Sequence, residues 1–495
     1  MKKVIAMLLA VMMIASLLAG CGSSNAPATP GDSAAPAAPA ETKAPTTEGG
    51  YPVITWYQVG GGQPKDIDAW NAIVNPYLEE KIGAHLNLQV IGWGDWGDKR
   101  TMLVQTNDNY DIIFTDMSTY VNNINLGAFA DLTDMIKDTP GITDLIPADY
   151  LKACEVNGRL YGIPAYKDSS MTNFFVWTKS EVEEFYPDYA NVHTLADADA
   201  ALRALKDGTG VTPLMLNKDG ISCIIGNRYD NFGTGLAAIG ISYFDGSNKV
   251  VPVFEQDDVM EQLRQMHTWF NDGIINGDAN TLPSFQGYCS VGVSQGWPAA
   301  SVGWGAGRGT EVVVSQFGET VVSNDTVQGS MACINNSSPN KELAMKLLEL
   351  VNTDVKLRDM MAYGIEGTHF QYVEEDGIQK VERLNQDWTA ASYTQGSTMI
   401  MSPEKGTKGD QREEIRHQNE TAVASPALGF YFDTANVRDK IAACTATWET
   451  FKPLLVTGAG DPDEIVPQMM DALRADGFDE IVAEAQTQLD AYLAG

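Results

Sequence analysis

The sequence predicts an α/β protein built as two lobes. Residues 51–115 alternate short β-rich runs with a run of helical period, the βαβα rhythm of a mostly parallel sheet carrying helices on both faces. About 445 residues follow position 50, more than one hydrophobic core usually holds. Beyond the N-terminus no segment is apolar enough to span a membrane, so these residues must fold around cores of their own.

The chain opens with Lys2 and Lys3, and Val4 to Ala19 is uncharged and dominated by Leu, Ile, Met, Val and Ala. That run is shorter than the roughly 20 residues of a spanning helix, and reads as the apolar region of a secretory signal peptide over 1–20. Leu18-Ala19-Gly20-Cys21 resembles the bacterial lipobox, which implies that Cys21 is diacylated (a palmitate-type anchor) and becomes the new N-terminus. Residues 22–50 are almost entirely Ala, Pro, Ser, Thr and Gly, too poor in apolar surface to fold. The stretch 21–50 is therefore expected to be a tether reaching roughly 90 Å when extended. The expected location is the outer face of the cell membrane, held by the lipid.

Losing Lys2 and Lys3 deepens the formal charge from −32 to −34. So acidic a body repels phosphate backbones, which excludes nucleic acid and suits a neutral ligand. Apart from Cys21, the cysteines at 154, 223, 289, 333 and 444 are widely spaced, with no ligand pattern. An odd number leaves at least one thiol free, expected in a core. The histidines are scattered too, so neither a metal site nor a cofactor is expected.

Val53–Tyr57 is β-rich and closes on Gly60-Gly61-Gly62. Ile67, Trp70, Ile73, Val74, Tyr77 and Leu78 recur at helical spacing and predict a helix over 66–82. Leu86–Val90 alternates as a half-buried strand, and a helix is expected from Asp95, its candidate N-cap. Asp111–Phe114 reads as a short buried strand. In such sheets ligands sit beyond the carboxyl ends of the strands, which is where Thr115, Asp116 and Ser118 fall.

Four segments resemble the maltose-binding type of extracellular solute-binding proteins, which serve ABC importers: Tyr110–Asp116, Gly127–Leu132, Asn157-Gly-Arg-Leu-Tyr-Gly-Ile-Pro164 and Ser338–Ala344. Gly364-Ile-Glu-Gly-Thr-His369, Gly429–Asp433 and the helical stretch 434–490 resemble a lipoprotein subset with an extra C-terminal domain. The resemblance covers nearly all of 51–495. It implies the type II periplasmic-binding-protein fold, two α/β lobes joined by a hinge around a ligand cleft. Lobe one would be 51–164 plus 310–355; lobe two would be 165–309 plus 356–495. It further implies a monomer that binds a carbohydrate, expected to be an oligosaccharide, without catalysis, and delivers it to permease subunits in the membrane.

Sugar recognition needs aromatic faces for the C–H patches of a ring and short polar groups for its hydroxyls. Trp297, in Ser294-Gln-Gly-Trp-Pro298, resembles the family's stacking tryptophan on the second lobe. Trp93 and Trp96 flank Asp95 at a strand-to-helix turn. Asp116, Ser118 and Asp168 stand where the family places polar contacts, and Tyr166 and Lys167 adjoin them. Trp304 lies in a glycine-rich loop. Of Trp56 and Tyr57, which alternate faces, one is expected in the core and Tyr57 is the candidate for the cleft. Glu366 and His369 belong to the subset motif, equally compatible with a structural turn. Trp388 and Trp448 read as packing.

Two alternatives belong to other classes. A secreted lipoprotein enzyme acting on polysaccharide would need a catalytic set. Gly292-Val-Ser294-Gln-Gly296 matches the nucleophile-elbow spacing, but that elbow requires a helix at once and Trp297-Pro298 follows. Glu374-Glu375 and Glu413-Glu414 are adjacent and point apart, unlike a glycosidase pair. The same fold could instead hold a peptide or another non-sugar solute.

Overall fold

The computed structural model describes residues 46–494 except 108, 222, 286, 287, 408 and 410. The signal peptide, Cys21 and the tether as far as residue 45 lie outside the described residues. The tether ends sooner than expected. Thr47–Glu48 pairs with Tyr51–Pro52 in a hairpin whose turn residues, Gly49 and Gly50, take φ of +61° and +94°. Two successive positive φ angles make the tight hairpin turn that suits strand twist, and glycine adopts them without penalty.

In the first lobe, strand Tyr51–Gly60 lies between His85–Gly92 and Ile112–Thr115 and runs parallel to both. Parallel neighbours need crossover connections, which the helices Ile67–Ile82 and Trp96–Thr106 supply. The first of these buries Trp70, Val74 and Leu78 and stops at Gly83, which takes the left-handed conformation. Asp95 precedes the second helix, yet its side chain makes no capping bond. Met331–Ile334 then pairs antiparallel with Ile112–Thr115, and Gly162–Pro164 antiparallel with Met331–Cys333.

The second lobe departs from the mostly parallel expectation. Met171–Thr178 sits between Val291–Gln295 and Val312–Val322, antiparallel to both; Val423–Ala424 adds a short parallel edge, and Leu214 bridges Val291 in parallel at the other. The reason is topological. Chain entering a lobe by one strand and leaving by its neighbour must run in opposite directions.

Each lobe has its own core, one around Trp56, Trp70, Ile113 and Leu347, the other around Trp177, Phe254, Trp269 and Phe478. These cores correct the expected division. Val312 and Phe317 lie in the second lobe, because the returning strand is paired there with Met171–Thr178. Met360, Trp388, Met399 and Ile415 join the first core, so most of 356–422 belongs with lobe one. Only from about residue 427 does the chain rejoin the second core, as the helices Arg438–Val456, Pro462–Ala475 and Phe478–Leu493. Trp388 and Trp448 are both buried, Trp448 against Phe254 at 4.8 Å. The five described cysteines are unpaired, and burial pushes the Cys154 and Cys333 thiols up. No helix among the described residues is long and apolar enough to cross a membrane.

One buried cation governs the segment that returns over the first lobe. Arg358, fully buried, donates to the carbonyls of Ser397 at 2.8 Å and Ser392 at 2.6 Å and to the Gln395 side chain at 2.8 Å. Gln395 in turn donates to the Met361 carbonyl at 2.9 Å. Burial pulls the guanidinium pKa down to about 10, so it remains charged at neutral pH. Arg358→Met keeps the volume but leaves these acceptors unpaired inside the protein. It should lower unfolding stability by about 3 kcal/mol or more. A denaturation midpoint equal to that of the parent protein would show that other contacts hold the segment.

Candidate functional site

The parallel strands of the first lobe end together at Gly60, Gly92 and Thr115. Trp93 follows one of these ends and is 56% exposed. Its ring lies nearly parallel to Tyr393, with centroids 6.2 Å apart and planes 17° apart. Tyr393 is 36% exposed and meets Phe114 edge-on at 6.3 Å. Trp96, one step further on, is buried against Phe114 at 5.8 Å, with the Arg100 guanidinium over its ring. Its indole N–H has no partner among the described residues. Arg100 donates to Asp116 at 2.9 Å, and the Ser118 backbone N–H and hydroxyl donate to the other Asp116 oxygen. Trp93, Trp96, Asp116 and Ser118 thus share one rim, with the Asp116 charge already matched.

The remaining sequence candidates spread more widely. Trp56 is wholly buried and Tyr57 half-buried, with the Lys99 ammonium 5.2 Å above its ring. Lys167 and Asp168 form an ion pair at 3.2 Å on the crossing from lobe one to lobe two. Tyr166, only 4% exposed, packs edge-on against Tyr150 at 5.8 Å, too enclosed to offer its ring to a ligand. Trp297 is half-buried, not a free platform. Its indole N–H donates to Gln411 at 2.9 Å and its ring packs on the first core, while Glu414 accepts from the Ala299 N–H. It therefore ties the second lobe to the helix Gln411–Thr421. Trp304 packs on Phe174 at 6.1 Å within the second lobe.

Glu366 and His369 sit apart from this rim. His369, 2% exposed, accepts from the Ile365 N–H at 3.0 Å and lies 3.2 Å from an Asp66 carboxylate oxygen. A β-carbon at Gly364, where φ is +92°, would come within 2.6 Å of the imidazole. This is a locked turn, and it explains the motif without a ligand. Glu366 is exposed beside a separate hollow with Ile73 and Tyr372. As for the elbow-like pattern, a helix does follow, at Ser301–Arg308, contrary to expectation. Ser294, however, stays in a regular ladder opposite Phe174 rather than on a turn, and the His369 imidazole is taken up by its own turn.

Next to Ser118 the lobes enclose a cavity of 340 Å³. Ser118, Asn122 and Asn125 face it from lobe one, Asp325 and Gln328 from the crossing chain, and Phe232, Tyr431 and Arg438 from lobe two. Burial and the neighbouring Asp230 carboxylate push the Asp325 carboxyl up to about 7. No hydrogen-bond donor or cation reaches that carboxylate among the described residues.

Residues 72–375 match the family described as bacterial extracellular solute-binding protein. The chain belongs to that family. Residues 426–494 of this solute-binding protein match a domain of unknown function, DUF3502. A carbohydrate ABC transporter substrate-binding protein of Streptococcus pneumoniae is 28% identical over 460 residues, covering 90% of this chain and 92% of that one. The crystal structure of the N-glycan transport solute binding protein (NgtS) of Streptococcus pneumoniae superposes with a TM-score of 0.80 at 28% identity, over 90% of this chain and 99% of that one. The same protein in complex with Man5GlcNAc superposes with 0.66 at 28% identity and the same coverage. One protein thus occurs in forms of different shape, and the present solute-binding protein lies nearer the first.

Tyr393 is the member of the rim that sequence reasoning missed. Nothing periodic marks the loop that carries it. The one available signal was Gly60-Gly61-Gly62, because a β-carbon at Gly60 would come within 2.4 Å of the Thr389 carbonyl. The glycines admit a second chain that close, and Tyr393 arrives with it.

Because the folded protein holds the Asp325 proton more tightly than the unfolded chain, this carboxyl removes stability as pH rises from about 4 towards 7. Keeping it ionised costs up to roughly 4 kcal/mol. Asp325→Asn should therefore have a higher Tm than the parent solute-binding protein at pH 8, with the gap closing below about pH 4. Equal Tm values at pH 8 would mean the carboxylate carries no such burden.

Proposed function

We propose that this solute-binding protein is lipid-anchored, captures a neutral oligosaccharide and delivers it intact to an ABC permease. The observation that carries the ligand class is the exposed Trp93–Tyr393 pair at the strand ends. Two nearly parallel, exposed rings at the strand ends offer aromatic faces suited to the apolar faces of linked sugar units. The charged groups beside it are already paired, Arg100 with Asp116 and Lys167 with Asp168. What remains beside the rings is aromatic surface and hydrogen-bonding capacity, which favours a hydroxyl-rich ligand. The similarity to NgtS over 90% of this chain, and the glycan complexes of that protein, support a saccharide ligand.

Trp93 is exposed, so truncating it should leave Tm nearly unchanged. An aromatic anchor typically costs about 2 kcal/mol when reduced to Ala, which is roughly a thirtyfold rise in Kd. Calorimetric titration of the parent and Trp93→Ala with Man5GlcNAc should read that difference. Equal affinities would remove the platform from the site.

Anchoring at Cys21 has its own test. Cys21→Ala should move the protein from the membrane fraction to the medium, since no described helix can hold it in a bilayer. Retention after a high-salt wash would sink the lipid-anchor reading.

A further inference from the structure

The C-terminal domain brings its first loop to the cavity beside Ser118, where Tyr431 and Arg438 form one wall. That loop is firmly held. The Asn324 amide donates to the Phe430 carbonyl at 2.6 Å and accepts from the Gly429 N–H at 2.8 Å. Tyr431 meets Asn125 across the lobes, and the Lys152 ammonium lies 5.4 Å over the Tyr492 ring. The adjoining wall is the turn Asn324–Val327, fixed by a capping box at Ser323. It aims Asp325 into the cavity with no partner, while Gly233 packs so close that a β-carbon there would lie 2.9 Å from the carboxylate.

We propose that this cavity receives one sugar unit of the bound glycan, with Asp325 accepting its hydroxyl hydrogens, and that supplying the aromatic and guanidinium wall is what the C-terminal domain contributes. The inference rests on the saccharide reading of the cleft and gives that ligand a second point of attachment. A half-buried carboxylate without donors is costly, and hydroxyl donors offset that cost without adding charge. The volume of 340 Å³ equals that of about eleven waters at liquid density, room for one or two sugar units rather than a long chain. Asp325 and Glu155 oppose an anionic unit, and the exposed Arg438 opposes a cationic one.

The test titrates the full-length protein with Man1GlcNAc and Man5GlcNAc at pH 8, comparing the parent with Asp325→Asn, Arg438→Gln and Trp93→Ala. Asp325→Asn should bind at least tenfold more weakly while melting higher, a combination that a merely structural residue does not produce. Arg438→Gln should weaken binding severalfold without a change in Tm. If Trp93→Ala loses affinity and Asp325→Asn keeps it, the cleft reading stands and the cavity is not a sugar subsite. If the parent binds neither glycan, the saccharide reading falls and the subsite with it. Tighter binding of glucosamine than of N-acetylglucosamine would make Asp325 an ammonium partner and overturn the neutral assignment.

Discussion

A single returning segment closes both sheets. Val312–Val322 lies inside the second sheet, between Met171–Thr178 and the edge strand Val423–Ala424. A few residues later the same chain, as Met331–Ile334, lies inside the first sheet, between Ile112–Thr115 and Gly162–Pro164. Interior strands are bonded on both sides, so neither lobe can release its share without opening its sheet. Residues 323–330 join the two sheets, and that short bridge carries Asp325.

The rim depends on a second long-range constraint. Tyr393 stands beside Trp93 because Arg358 grips the carbonyls on either side of it and because glycines at 60 and 61 let that segment approach the strand end. Burying a guanidinium is expensive, and it persists here because its donors meet carbonyl and amide oxygens rather than a lone counter-charge. The result is an exposed aromatic pair on a rigid support, the arrangement that limits the ordering cost of binding.

Two polar groups are left without partners among the described residues, the Asp325 carboxylate and the buried Trp96 indole N–H. A protein selected only for stability would satisfy or remove such groups. By contrast, Asp111, more deeply buried, accepts from Thr55, Ser338 and Asn340 and serves the fold alone. The difference between these carboxylates lies in what surrounds them, which no property of the residue itself conveys.

How much of this was legible beforehand follows the range of the forces involved. The strands near 53–57, 86–90 and 111–114 and the helix near 66–82 were readable because side-chain period is a local property of the backbone. Trp93 and Asp116 were placed at the rim because parallel strands of an α/β sheet present their carboxyl ends on one side. The assignment of 356–422 to a lobe was not readable. An apolar stripe declares that a helix must be covered, and either core could have covered it. The same holds for Trp297, whose ring found the neighbouring lobe, and for His369, whose partners are a nearby amide and a carboxylate 303 residues away. Tyr393 meets Trp93 across 300 positions through a buried arginine and a gap left by glycine. The sequence alone determined which segments form strands and helices and that they divide between lobes. The choice of partner for each buried face was decided only in the tertiary structure, because burial rewards any complementary surface and the closed sheets leave just one within reach.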